Sequence, residues 1–402
     1  MTEARTPRVL VVAGTRPEGI KLAPVLDAFR RRQGESDARL ALTGQHTDLL
    51  DQVLDVFGLE PAWDLGIMKE GQDLYDVAHG CLDGLRGVVS EWRPDMILVQ
   101  GDTASVFFGA LTGFFERIPV GHVEAGLRSG DKARPYPEEV LRRMTGVVAD
   151  LHFAPTDGAR EHLLREKVDA ATVHVTGNTV VDALQRIAAA EHEATNPVLR
   201  DALSSERRLV LVTAHRRESF GEPLREAFGA LREVADRFDD VVLLYPVHPN
   251  PNVRQPAREL LGDHPRILLT EPLDYLDLLH ALKHAVLAIT DSGGIQEEAP
   301  SFGTPVLVLR DVTERPEAVA AGAAQLVGTD RTRIVDAAAH VLTQHGRHDI
   351  PNPYGDGRAG ERIADIVISA LTGSARRTED WGTAGQGRRA TGDGAADMRR
   401  PT

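Results

Sequence analysis

The chain has a single cysteine, Cys81, among its 402 residues. One cysteine excludes an internal disulfide framework and any zinc site built from several cysteines. No apolar run approaches the roughly 20 residues that span a bilayer. The amino terminus, MTEARTPRVLVV, lacks the layout of a signal peptide. An excess of positive charge is also missing: the formal charge is −14 and the pI near 5.5. That argues against nucleic acid as a partner, while local Arg and Lys can still hold a small anion. These absences point to a soluble cytoplasmic protein with no membrane partner. Hydrophobic residues make up 42% of the chain, enough for sizeable cores. The length favours two domains.

What is present is one unit repeated: a short apolar strand, a polar turn, then a helix. The stretch Asp291 to Gly303, DSGGIQEEAPSFG, is the clearest case. The apolar run Ala285 to Thr290 precedes it as a buried strand, and Ile295 begins a helical stretch. A helix start presents free N–H groups to an anion. Gly293 and Gly294 let a phosphate approach the backbone, and Ser292 adds a hydroxyl donor. Glu298, one turn on, offers a carboxylate to a vicinal diol such as a ribose. The stretch taken alone suits an ordinary strand–helix turn equally well, since it is neither a P-loop nor a GxGxxG fingerprint.

The same unit opens the chain. Strand Arg8 to Ala13 runs into GTRPEGIK, with Pro17 in the first helical turn. Arg16 and Lys21 place two cations at a helix start, which is unfavourable unless an anion binds there. Strand Leu40 to Thr43 ends at Gln45 and His46, strand Met96 to Val99 at Asp102, and strand Pro119 to Val123 at Glu124. Glu138 and Arg142 stand four apart on a helix from Tyr136 and read first as a surface salt bridge. After a polar linker, Glu191 to Arg208, the pattern restarts. His215, His248 and the turn before Glu317 then follow strand ends. Alternating strands and helices predict an α/β fold of two doubly wound parallel sheets, with ligand beyond the strand carboxyl ends. The expected division is 1–190, then 191–371 with its last helix packing back on the first lobe. A disordered tail, 372–402, is expected from its Gly, Arg, Thr and Ala content.

Taken in order, GTRPEGIK, TGQH, GDT, GHVEAGLRSG, VTGNTVVDAL, TAHRRESFGEP, YPVHPNPNV, EPLDY, DSGGIQEEAPSFGTPVLVLRD and TERPEAV resemble the non-hydrolysing UDP-N-acetylglucosamine 2-epimerases. The resemblance runs from about Arg8 to Leu371. It implies two lobes facing across a cleft, as in the B-type nucleotide-sugar glycosyltransferases. It also implies a UDP-sugar substrate, a homodimer, and neither metal nor cofactor. Matched residue by residue, Asp102, Glu124, Glu138 and His215 are the catalytic groups and Arg142 supports them. Arg16, Lys21, His248, Ser292, Gly293, Gly294, Glu298 and Arg315 bind the nucleotide-sugar. Gln45, His46 and Gln72 match an activator site of some members, although Gly71 replaces an arginine found there. Leu141 and Leu278 stand where the family usually has Asn and an aromatic residue, and Gly19 where it has Ala.

The implied chemistry is elimination of UDP to 2-acetamidoglucal and its re-addition with a proton on the other face, which needs acid–base groups on both sides of the sugar. The alternatives left open are a related UDP-sugar, a hydrolysing variant, and a glycosyltransferase or nucleotide-sugar binder.

Overall fold

A computed structural model describes residues 5–44, 54, 56–67, 69, 71–189, 192–344 and 352–382. The central strands are runs of Val, Leu, Ile and Ala buried on both faces, as a parallel sheet requires. The first sheet contains β1 (Arg8–Ala13), β2 (Asp37–Leu42), β3 (Trp63–Asp64), β4 (Met96–Gln100), β5 (Val120–Val123), β6 (Leu151–Ala154) and β7 (Val173–Val175). Its order is β3-β2-β1-β4-β5-β6-β7. The second contains β8 (Arg208–Thr213), β9 (Val241–Pro246), β10 (Ile267–Thr270), β11 (Leu287–Thr290), β12 (Val306–Val308) and β13 (Ala324–Leu326), in the order β10-β9-β8-β11-β12-β13. All pairings are parallel, with Val12 opposite Val99 and Thr290 opposite Thr213 near the strand ends. In each sheet the order reverses between two central strands, β1/β4 and β8/β11. Such switch points open a crevice at the strand carboxyl ends.

The lobes share a core. Val180, Val181, Leu184 and Ile187 of helix Thr179–Ala189 pack with Ile20 and Ala23 on one side and with Leu279, Leu282 and Ile295 on the other. The last helix, Ala359–Thr372, returns to the first lobe, where Ile363, Ile366 and Val367 pack with Leu22, Val25 and Phe29. Each such side chain contributes about 1.5–3 kcal/mol when fully buried. Among the described residues, no helix is long and apolar enough to cross a membrane.

The structure departs from expectation in three places. The polar linker contains a helix, Pro197–Ser204, capped by the Asn196 side chain on the N–H groups of Val198 and Leu199. Pro197 takes the first helical position, where its missing N–H costs nothing. Gly293 and Gly294 lie inside their helix, Gly293–Glu298, rather than before it. Residues 373–382 of the tail are ordered: the N–H groups of Arg377 and Thr378 donate to Asp365 at 2.7 and 2.8 Å. Trp381 N–H donates to the Val175 carbonyl at 2.7 Å, on the edge strand β7. Composition counts apolar residues and misses a segment held by hydrogen bonds. Residues 383–402 lie outside the described residues.

Candidate active site

The carboxyl ends of β1, β4 and β5 build one wall of a cleft of about 710 Å³ between the lobes. After β1, Glu18 turns back under its own loop. It accepts hydrogen bonds from Gly14 N–H (2.6 Å), Thr15 Oγ1 (2.9 Å) and Thr103 Oγ1 (2.8 Å), so it fastens the β1 loop to the β4 loop. Burial pushes its carboxyl up to about 7, against those bonds. After β4, Gly101 at φ +89° makes a turn that side chains resist. That turn delivers Asp102, which pairs with Arg142. After β5, Glu124 itself stands at φ +66°, a strained conformation for a residue with a side chain. Its carboxylate meets Lys21 Nζ at 2.5 Å and Gln100 Nε2 at 2.5 Å. Burial raises the Glu124 pKa, Glu297 adds to the rise, and Lys21 opposes it.

The ends of β8, β9 and β11 build the other wall. Asp291 is buried and accepts the N–H groups of His215 (2.6 Å) and Arg216 (2.8 Å), so the β11 turn fixes the β8 loop. The His215 ring stacks on His248 at 5.4 Å with an interplanar angle of 9°. Burial lowers the His215 pKa, favouring the neutral imidazole, although Asp291 lies 3.3 Å from Nδ1. Ser292 sits at the N-cap of helix Gly293–Glu298 with no capping bond from its hydroxyl. Glu298 accepts from Tyr275 Oη at 3.1 Å, and burial pushes its carboxyl up to about 7. The Arg16 guanidinium reaches across from the first lobe to lie 5.5 Å from the Tyr275 ring centroid.

Arg16, Lys21, Asp102, Glu124, His215, His248, Ser292, Gly294, Glu298 and Arg315 therefore all line one cleft, as does Leu278. Gly293 does not; a Cβ there would stand 2.9 Å from Arg315 Cζ, so this glycine admits the guanidinium. Arg142 lies behind Asp102. Its other partner is Glu139, at 3.3 Å, and not the expected Glu138. Three residues along a helix turn the side chain almost as far as four, and the buried Glu139 wins. Glu138 begins helix Glu138–Val148 and keeps a buried Oε2 without a hydrogen-bond partner. Gln72 is outside the cleft, its amide holding its own loop through Ile67 O (2.7 Å) and Lys69 N–H (2.6 Å). Gln45 and His46 lie outside the described residues.

Two further carboxylates of the site carry no assignment from the sequence pattern. Glu18 stands inside the quoted GTRPEGIK but carried no role. Glu297 stands beside Glu298, which took the ribose role alone. Glu297 is 3% exposed and faces Lys21 at 3.1 Å and Arg315 at 2.8 Å. Burial opposes its charge, yet Lys21 and Arg315 hold its carboxyl down at about 2. The doubled acid after a glycine pair was the only available signal.

Two parallel-sheet lobes with switch points facing one charged cleft make a two-lobed architecture built to hold a ligand between them. The comparisons with known proteins narrow this. The family model described as UDP-N-acetylglucosamine 2-epimerase matches residues 28–368. A Yersinia pestis UDP-N-acetylglucosamine 2-epimerase is 48% identical over 365 residues, covering 89% of this chain and 97% of its own. A Neisseria meningitidis UDP-GlcNAc 2-epimerase solved with UDP-GlcNAc superposes with a TM-score of 0.80 at 39% identity, covering 90% of this chain and 100% of its own. An S. aureus protein solved with UDP gives 0.84 at 42%, covering 94% and 100%. The chain belongs to the UDP-N-acetylglucosamine 2-epimerase family.

Proposed function

We propose that this chain interconverts UDP-N-acetylglucosamine and UDP-N-acetylmannosamine. The observation that carries the reading is the meeting of Asp102, Glu124, His215, Ser292 and Arg315 in one interlobe cleft. The hydrogen at C2 lies beside an acetamide nitrogen and is barely acidic. Its removal is therefore coupled to departure of UDP. A side-chain base takes the C2 proton, the C1–O bond breaks with its electrons to the diphosphate, and a C1=C2 double bond forms. In return, a proton reaches the other face of C2 while a diphosphate oxygen re-forms the bond to C1. Nothing is oxidised overall.

Asp102, Glu124 and Glu138 are the proton-transfer groups, and Arg142 holds Asp102 in place. Arg16, Arg315, Ser292 and the helix start at Gly294 receive the leaving diphosphate with His215 and His248 beside them, and Lys21 joins from the first lobe. Glu298, oriented by Tyr275, takes the ribose. Relatives at 46–48% identity bearing the epimerase name favour this reading over a hydrolysing variant, a transferase or a binder. Incubation with UDP-N-acetylglucosamine in D₂O tests it. Deuterium at C2 of the product UDP-N-acetylmannosamine is expected. Consumption without exchange, and only in the presence of an acceptor, overturns it.

The reading extends to a cytoplasmic homodimer. Phe114, Phe115, Met144 and Val147 are exposed on helices Ala104–Glu116 and Glu138–Val148, which pack together and suit a self-association face. The buried free thiol of Cys81 suits a reducing compartment. Sedimentation equilibrium should give twice the chain mass, and Val147→Glu should halve it.

A further inference from the structure

We propose that Glu297 is a positioning residue that governs Glu124 by competing with it for Lys21 across the lobe boundary. The catalytic consequence rests on the epimerase reading; the competition itself does not. Glu124 and Lys21 belong to the first lobe, and Glu297 and Arg315 to the second. Lys21 Nζ lies 2.5 Å from Glu124 Oε1 and 3.1 Å from Glu297 Oε2. The Asn178 amide repeats the pattern, with Nδ2 at 3.3 Å from Glu124 and 3.5 Å from Glu297. One ammonium and one amide thus stand between two carboxylates whose side chains are 9% and 3% exposed. The second oxygen of Glu297 is held by Arg315 Nε at 2.8 Å, which keeps the competitor in place.

The charged groups facing Glu124 are Lys21 from helix Arg16–Arg31, Glu297 from helix Gly293–Glu298, and Arg315; Gln100 and Asn178 are neutral. Removing the charge of Glu297 acts on Glu124 twice in the same direction. It deletes a neighbouring negative charge and leaves Lys21 to Glu124 alone. Both changes favour the ionised carboxylate. A carboxylate held more firmly in its charged form is a weaker base toward C2, so Glu297, outside the proposed proton-transfer set, tunes a residue inside it.

The test is ¹³C NMR of glutamate-labelled protein without ligand, the Glu124 carboxyl being identified by its loss in Glu124→Gln. In Glu297→Gln the Glu124 titration midpoint should move to lower pH. In Glu297→Asp, which keeps the charge, it should stay nearer the wild-type value. The acid limb of the kcat profile of Glu297→Gln should shift the same way, with kcat down by about 10- to 100-fold. An unchanged midpoint in Glu297→Gln overturns the proposal. So does an equal shift in Glu297→Asp, because that marks packing and not charge. A wild-type chain that shows the coupled titration but no exchange at C2 supports the competition while sinking the epimerase reading.

Discussion

The two walls of the cleft are built differently. On the first-lobe wall the reactive groups are locked in charge-assisted pairs, Glu124 with Lys21 and Asp102 with Arg142. On the second-lobe wall the groups facing the cleft include neutral donors: an uncommitted Ser292 hydroxyl, an N–H turn, and a histidine whose burial favours the uncharged ring. Paired carboxylates are held still but are electrically satisfied. They suit proton transfer, where position and pKa decide the rate. Open donors suit an incoming diphosphate, which supplies the charge they lack. In the proposed roles, proton transfer falls to the first wall, while the diphosphate is received mostly by the second with Arg16 and Lys21 reaching in from the first.

The largest break should come from the first wall. Asp102→Asn or Glu124→Gln should lower kcat by about 10³-fold, while UDP affinity by calorimetry stays near wild type. Near-normal turnover in either would remove that residue from its role. Next comes the buried Glu18. Its folded carboxyl titrates near 7, above its unfolded value of 4.5. With the folded value raised, the associated stability is complete below the unfolded value and is lost as pH climbs toward 7. Glu18→Gln should therefore gain stability relative to wild type between pH 5 and 8, by up to about 3 kcal/mol. Urea unfolding at both pH values measures this, and a pH-independent difference would count against it.

Smaller effects should come from the second wall. Gly293→Ala sets a methyl against Arg315 and should weaken UDP binding about tenfold, or about 1.4 kcal/mol, with kcat less affected. Ser292→Ala removes one donor to a charged group and should cost about 1.5 kcal/mol or less in UDP affinity. If either substitution lowers kcat more than affinity, the division of labour between the walls is wrong.

Much of this was legible in the sequence for a physical reason. A polar residue directly after an apolar run must emerge at a strand end, so Asp102, Glu124 and His215 announced themselves together with their strands. The strands β3 and β13 are only two and three residues long and carry too little pattern to be read. Glu139 and Glu297 were hidden by their neighbours. Adjacent acids on a helix point about 100° apart, and only packing decides which one faces inward. Glu18 was obscured because a buried acid reads, letter by letter, like an ordinary first-turn acid of a helix.

Helix Thr179–Ala189, which packs against both lobes, and helix Ala359–Thr372, which returns to the first lobe, are joined at their starts. Asn178 N–H donates to the Tyr354 carbonyl at 2.7 Å. A junction between two helix starts can act as a door hinge that allows a swing about one line and resists twisting. Atoms nearest a hinge line travel least. Asn178, which touches Glu124 and Glu297, is such a point. Opening to admit a nucleotide-sugar should therefore part the cleft mouth while the carboxylates at its root stay in register.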